Sequence, residues 1–157
     1  MGIKPDQHWM RFALEQAHLA AIEGEVPIGA VMVYKNEIIA KGFNQCVAKN
    51  NAMLHAEVVV IEQACKVLNN YRLNQCTLYV TLEPCMMCCG ALVQSRIARV
   101  VYGAKESKTG CVHSHLNLLE QSFLNHKILI TSDVLKDECQ NIMIDFFSKK
   151  RKTIKVE

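Results

Sequence analysis

Two short stretches of the chain gather residues that hold metals and move protons. "HAE" at 55–57 places His55 and Glu57 just ahead of the apolar run "VVVIEQA". Twenty-six residues separate Glu57 from "PCMMC" at 84–88, which holds Cys85 and Cys88. At the start of a helix, residues i and i+3 share a face, so both sulfurs can reach one ion. The free amides and positive end of such a helix favour the thiolates that a metal needs. A C-x-x-C pair by itself has three readings: incidental cysteines of a buried helix, a redox dithiol, or half of a metal site. His55 shifts the balance to metal. Two cysteines and a histidine suit zinc, and three protein ligands leave a fourth position for water, as in a catalytic site. A structural zinc is usually closed by four protein ligands.

Glu57 then becomes informative. Within a helix, positions i and i+2 sit about 200° apart and cannot face one ion. At the first turn the side chains lean back past the helix end and can converge on a group in front of it. The spacing therefore makes sense if His55 stands at a helix N-terminus, with the apolar run as the anchor behind it. Without the cysteines, a helix-end histidine and a first-turn carboxylate would be the better reading. With them, two helix N-termini meet at a zinc beside a carboxylate. Zinc brings the pKa of its water to ~7. A carboxylate there can take a proton and deliver it to a ring nitrogen and then to a leaving amine. That chemistry is hydrolytic deamination of an amino-substituted base.

The rest of the chain must position these groups. A length of 157 residues, half apolar and 21% charged, fits one folded domain with a real core. No apolar run reaches the ~18 residues of a membrane span. "MGIKPDQHWM" lacks the apolar region of a secretory signal, and Asp6 breaks the myristoylation pattern. A cytosolic location is expected, where eight cysteines point to metal or catalytic use rather than disulfides. Trp9, Ala13, Ala17 and Ala20 recur at helical spacing, with Asp6 as a candidate cap and Gly24 and Pro27 as the stop. "IGAVMVY" (28–34) and "IIAKGF" (38–43) form a hairpin, followed by a loop over 44–54. A helix is expected over 56–69 and an almost wholly apolar one over 85–95. Strands are expected over 77–82, 99–103 and 127–131. Residues 104–126 read as irregular, with a short helix near 116–120. Asp133 is a candidate cap for a last helix over 134–152, with Leu135, Cys139, Ile142 and Phe146 on one face. Alternating strands and helices predict a three-layer α/β/α domain, and the hairpin makes its sheet mixed.

H-x-E followed by P-C-x-x-C is the signature of zinc-dependent nucleobase deaminases. Further motifs extend the likeness: "EVPIGAV" (25–31), "GFN" (42–44), "NYRL" (70–73), "TLYVTLEPCMMC" (77–88), "SRIARVVYGA" (95–104), "KTG" (108–110) and "DFF" (145–147). Taken in order, they make the chain resemble the bacterial tRNA-specific adenosine deaminases over residues 6–152. The resemblance implies a single cytidine-deaminase-like domain over 1–157 with a five-stranded mixed sheet. It implies one zinc per subunit on His55, Cys85 and Cys88, with Glu57 as proton shuttle. It implies that Asn44 and the Ala56 amide hold the base, and that Val26 and Leu82 wall the pocket. The reaction implied is conversion of the wobble adenosine of a tRNA anticodon to inosine, by a homodimer that binds the anticodon loop.

The chain departs from that pattern in four places, among them Cys89 directly after the second cysteine and Glu106 where aspartate is common. "NAML" (51–54) stands where an Asp-Pro-Thr-Ala lead-in is usual, and "CVHSHLN" (111–117) is richer in histidine and poorer in glycine. The tail "SKKRKTIK" (148–155) holds five of the eighteen Lys and Arg. Lys149, Lys150, Arg151 and Lys152 can complement the helix dipole, or they can attract RNA phosphates, which is the favoured reading. Two other functions stay open at this level. One is zinc-dependent deamination of a free nucleobase or nucleoside of guanine or cytosine type. The other is a non-catalytic zinc-stabilised RNA-binding protein, which needs a fourth ligand such as Cys46, Cys89 or His113.

Overall fold

The computed structural model describes residues 2–156, with side chains through 154. The side chain of Lys155, the last cation of the basic run, lies outside the described residues. Five strands form one sheet: β1 (Gly29–Tyr34), β2 (Glu37–Phe43), β3 (Cys76–Leu82), β4 (Arg99–Ala104) and β5 (Leu129–Thr131), in the order β2-β1-β3-β4-β5. β1 runs antiparallel to both β2 and β3, while β3, β4 and β5 are mutually parallel neighbours. The expected mixed sheet is therefore present. The hairpin turns through Lys35 and Asn36, whose φ angles of 49° and 61° suit the right-handed twist of the flanking strands.

The described residues form five helices, α1 (Asp6–Ile22), α2 (Cys46–Lys49), α3 (Ala56–Leu68), α4 (Met86–Gln94) and α5 (Lys136–Val156), of which all but the short α2 pack on the sheet. Successive side chains of a strand point to opposite faces, and the two cores divide on that period. Ala30, Met32, Leu78, Val80, Val100 and Tyr102 meet Ala56, Val60, Ala64 and Leu92 of α3 and α4. Val31, Val33, Tyr79 and Val101 meet Trp9, Met10 and Ala13 of α1 and Cys139 of α5. Helices on both faces of one sheet give the three-layer α/β/α fold. Parallel neighbours need a crossover between them, and the connection β3–α4–β4 sets α4 at the end of β3, where its first turn is free.

Several expectations need correction. Asp6 is the first residue of α1 and Pro5 its cap, because the Asp6 carboxylate is taken by Arg99 and Tyr79. Asp133 is not the cap of the last helix. It has φ 63° and Leu135 φ 51°, so the chain turns through left-handed backbone and α5 begins at Lys136, not at 134. The helix also continues to Val156 rather than ending at 152. The 44–54 loop contains the short helix α2. Within 104–126 the short helical element is a single 3-10 turn, Leu118–Glu120.

Candidate active site

His55 and Cys85 are cap residues. Each has extended backbone immediately before a helix, α3 and α4 respectively (His55 φ −68°, ψ 155°; Cys85 φ −78°, ψ 178°). Neither side chain caps its own helix, so both are free to turn toward the space between the two helix ends. Cys88 lies one turn into α4 and is fully buried. His55 Nδ1 stands 3.6 Å from Cys85 Sγ and 3.5 Å from Cys88 Sγ. Tetrahedral zinc, with Zn–S near 2.3 Å and Zn–N near 2.1 Å, puts sulfur and nitrogen about 3.6 Å apart. Both sulfurs thus sit from the imidazole nitrogen at the separation such an ion requires, and all three donors lie within 4.8 Å of one another.

Among the described residues, these three form the only group of His, Cys, Asp or Glu side chains close enough to share an ion. The candidates for a fourth ligand are engaged elsewhere. The Cys46 thiol faces the Ala52 carbonyl, the Cys89 thiol faces the Pro84 carbonyl, and His113 Nδ1 is 2.6 Å from the Tyr102 hydroxyl. All eight cysteines are free thiols. A bond from the Cys88 thiol holds Cys85 down to about 4, while the same bond and burial push Cys88 far up. The neighbouring Cys85 raises His55 above its ordinary value.

Glu57 lies in the first turn of α3 and is 3% exposed. Its Oε1 is the one buried side-chain oxygen or nitrogen among the described residues that lacks a partner. Burial is the largest influence on this carboxyl and raises its pKa. A buried carboxylate oxygen without a donor is costly. Its presence beside three metal-type donors fits a site completed by a cation and water.

A cavity of about 570 Å³ opens at His55. It is lined by Val26, Asn44, His55 and Leu82, so the structure brings these four expected site residues together. Ala56 is fully buried, and its N–H donates to Asn44 Oδ1 at 2.8 Å. The two expected base-holding groups are therefore bonded to each other, which leaves the Asn44 amide NH₂ as the free donor of the pair. Of the four basic tail residues, Arg151 alone lines the cavity. Lys149 lines a groove between α1 and α5, and Lys150 sits over the Phe146 ring at 5.9 Å. Lys152 is exposed.

Several lining residues were not expected. Met143, Ile144 and Phe147 come from α5, and Glu106, Lys108 and Thr109 from the loop after β4. The α5 residues recur at helical spacing beside Arg151, a pattern that could have marked a second apolar face of that helix. Two buried carboxylates were not expected either. Glu25 is 1% exposed and accepts the Val47 and Ala48 amides at the start of α2, which steadies the segment that leads to His55. Glu83 is 3% exposed and accepts four backbone amides and one hydroxyl from residues 106–114. Burial works against its charge, but these donors prevail and hold Glu83 below the usual carboxylate value.

Residues 4–151 match the MafB19-like deaminase family. The chain is 46% identical over 147 residues to a tRNA-specific adenosine deaminase of Bacillus subtilis, covering 94% of this chain and 91% of that one. It is 42% identical over 153 residues to the Haemophilus influenzae protein of the same name, covering 97% and 88%. A solved structure from work on A-to-I editing by tRNA deaminases at the wobble position superposes with a TM-score of 0.83. It is 40% identical and covers 86% of this chain and 98% of that one. With metal-type donors at two helix ends, a buried glutamate and likeness along nearly all its length, the chain belongs to the family of tRNA-specific adenosine deaminases.

Proposed function

We propose that the protein deaminates adenosine to inosine at the wobble position of a tRNA anticodon. The observation that carries the chemistry is the unpartnered Glu57 oxygen beside three metal-type donors that have no fourth protein ligand among the described residues. The tRNA substrate follows from the relatives, which are named for it and match nearly the whole chain. His55, Cys85 and Cys88 would hold one zinc per subunit. The chemistry zinc supplies when bound is Lewis acidity, which makes water nucleophilic near neutral pH.

The chain's own groups do the remainder. Glu57 takes a proton from the attacking water, returns it to N1 of the adenine, and carries a proton to the departing amine. Adenosine and water thus become inosine and ammonia. Asn44, fixed by the Ala56 amide, presents its NH₂ group to the purine edge, and the Ala56 amide itself becomes a second donor where the base displaces that bond. Val26 and Leu82 give the base apolar walls and exclude water from its faces. A flipped-out base also needs a stacking partner, and Phe147 at the cavity supplies an aromatic ring. Lys149, Lys150, Arg151 and Lys152 attract the RNA backbone.

The whole chain works as one deaminase domain, in the cytoplasm, as a homodimer with the anticodon loop near the subunit interface. Among the described residues, no helix is long and apolar enough to cross a membrane. Incubation with an anticodon stem-loop that carries adenosine at the wobble position tests the proposal. Inosine, read as G on reverse transcription, is the expected product. Turnover of free guanine or cytosine without inosine in the RNA would overturn it.

A further inference from the structure

Glu83 directly follows β3 and precedes Pro84-Cys85, yet its carboxylate is bonded to the loop after β4 and not to the metal-type donors. One oxygen accepts the Glu106 amide at 3.0 Å and the Ser114 hydroxyl. The other accepts the amides of Val112, His113 and Ser114 at 3.0, 2.8 and 2.9 Å. Both ends of the 106–114 loop are therefore gathered on one carboxylate. The middle is tied as well. Cys85 and Gly110 form an isolated antiparallel bridge, and the Cys111 amide donates to the Pro84 carbonyl at 3.0 Å. A Cβ on Gly110 would lie 2.5 Å from Glu83 Cδ and 2.5 Å from the Glu106 carbonyl oxygen, so the loop closes tightly around the carboxylate.

The span between those ties faces the cavity. Glu106, Lys108 and Thr109 line it opposite Asn44 and His55. None of the three belongs to the metal-type cluster, and none is bonded to Glu57. From this placement we infer that Glu83 is a positioning residue for RNA: its carboxylate sets the loop that forms the substrate-facing wall, and Lys108 on that wall meets the nucleotides flanking the reacting adenosine. The inference rests on the proposed tRNA deaminase activity. Its reason is chemical. A carboxylate accepts from every side, whereas a carboxamide turns an NH₂ group toward several of the same amides. Replacing the charge unmakes the loop's anchor, while Glu57, Asn44 and the three ligands keep their own supports.

The test is Glu83→Gln, with Ser114→Ala as a milder loss of one donor. Zinc content, kcat and KM on the anticodon stem-loop, and amide hydrogen exchange are measured for each. Glu83→Gln is expected to keep one zinc and a near-normal kcat, and to raise KM about tenfold, the scale of effect that misplacing a substrate-positioning wall produces. Exchange is expected to speed up at residues 106–114 and stay unchanged in β3 and α4. Ser114→Ala should raise KM in the same direction by a smaller factor. A KM unchanged in both variants, or unaltered exchange in the loop, overturns the inference. If Glu83→Gln fails to fold or loses zinc, Ser114→Ala decides: raised KM with zinc retained supports the anchor, and unchanged KM sinks it. Failure of the wild type to make inosine would instead remove the proposed activity, while the exchange result would still report on the anchor.

Discussion

Glu57 is in a position few carboxylates tolerate, buried with one oxygen unpartnered. A cation held by His55, Cys85 and Cys88, with its water, would complete the group and offset that cost. A substitution that keeps the shape but removes the base separates binding from chemistry. Glu57→Gln is expected to retain one zinc and bind the anticodon stem-loop, while kcat falls by about 10²–10⁴, the usual contribution of a positioned acid–base group. Metal analysis and single-turnover inosine formation check this together. A variant that turns over normally, or that loses its metal, would show that Glu57 does not act as the proton carrier. At this scale much was legible in the sequence. A histidine and a glutamate two apart make sense only at a helix start, and Cys85 at its own helix start completes the cluster. Glu25 and Glu83 were not legible, because their partners are backbone amides distant in the chain. Every residue type except proline carries such an amide, so no side-chain pattern announces it.

The elements aim these residues by close approach. β1 begins at Gly29, and the backbone of α1 lies directly against it. A Cβ there would collide with the Ala13 carbonyl oxygen and the Ala17 amide nitrogen. α1 can settle on the sheet only because Ala13, Ala17 and Ala20 give it a smooth buried face. Gly29→Ala must therefore push helix from strand, and a loss of about 1–3 kcal/mol in unfolding free energy is expected, the typical cost of overpacking. Chemical denaturation of the zinc-loaded protein measures it; a loss below about 0.5 kcal/mol, the range of inconspicuous surface changes, would mean the helix does not sit as described. Element types were readable from the period of their apolar residues, and the hairpin from its short polar connection. Their ends were less so. Asp6 looked like a cap because its neighbours in sequence suggest one, but its carboxylate is held by Arg99, 93 residues away. Asp133 likewise follows the local rule for a cap, while the path of the chain after β5 requires left-handed backbone there.

Across the whole molecule, two sets of charges act over long distances. The first holds the fold. Asp6 of α1 accepts both guanidinium nitrogens of Arg99 in β4, at 2.9 and 2.7 Å, and the Tyr79 hydroxyl of β3 at 2.9 Å. The bonds to Arg99 are the largest influence and hold the Asp6 carboxyl below its ordinary 3.8, although burial opposes them. A depressed folded pKa stabilises the protein above the unfolded value, and that contribution is lost as pH falls through the folded one. Asp6→Asn should therefore lower Tm by a constant margin at pH 6–7, and the margin should close below about pH 4. A margin that persists unchanged at pH 3 would show that packing, not charge, holds α1 there. The second set is the basic run of α5, proposed above to attract RNA. The chain carries a net charge of +3, and its C-terminal helix is basic. The turns of α5 send its cations in different directions: Arg151 to the cavity, Lys149 to the α1 groove, Lys150 over Phe146. A run of like charges in the sequence thus becomes unequal positions in space. Arg151→Ala should weaken stem-loop binding more than Lys152→Ala. A cation that neutralises a phosphate of a flexible RNA loop releases bound counterions, and each one adds about 0.7 to the steepness of log K against log salt. The expected result is a slope shallower by about that amount for Arg151→Ala and a smaller change for Lys152→Ala. Equal slopes for the two variants would mean that the basic helix attracts RNA as a diffuse field, and that Arg151 has no fixed phosphate at the mouth of the site.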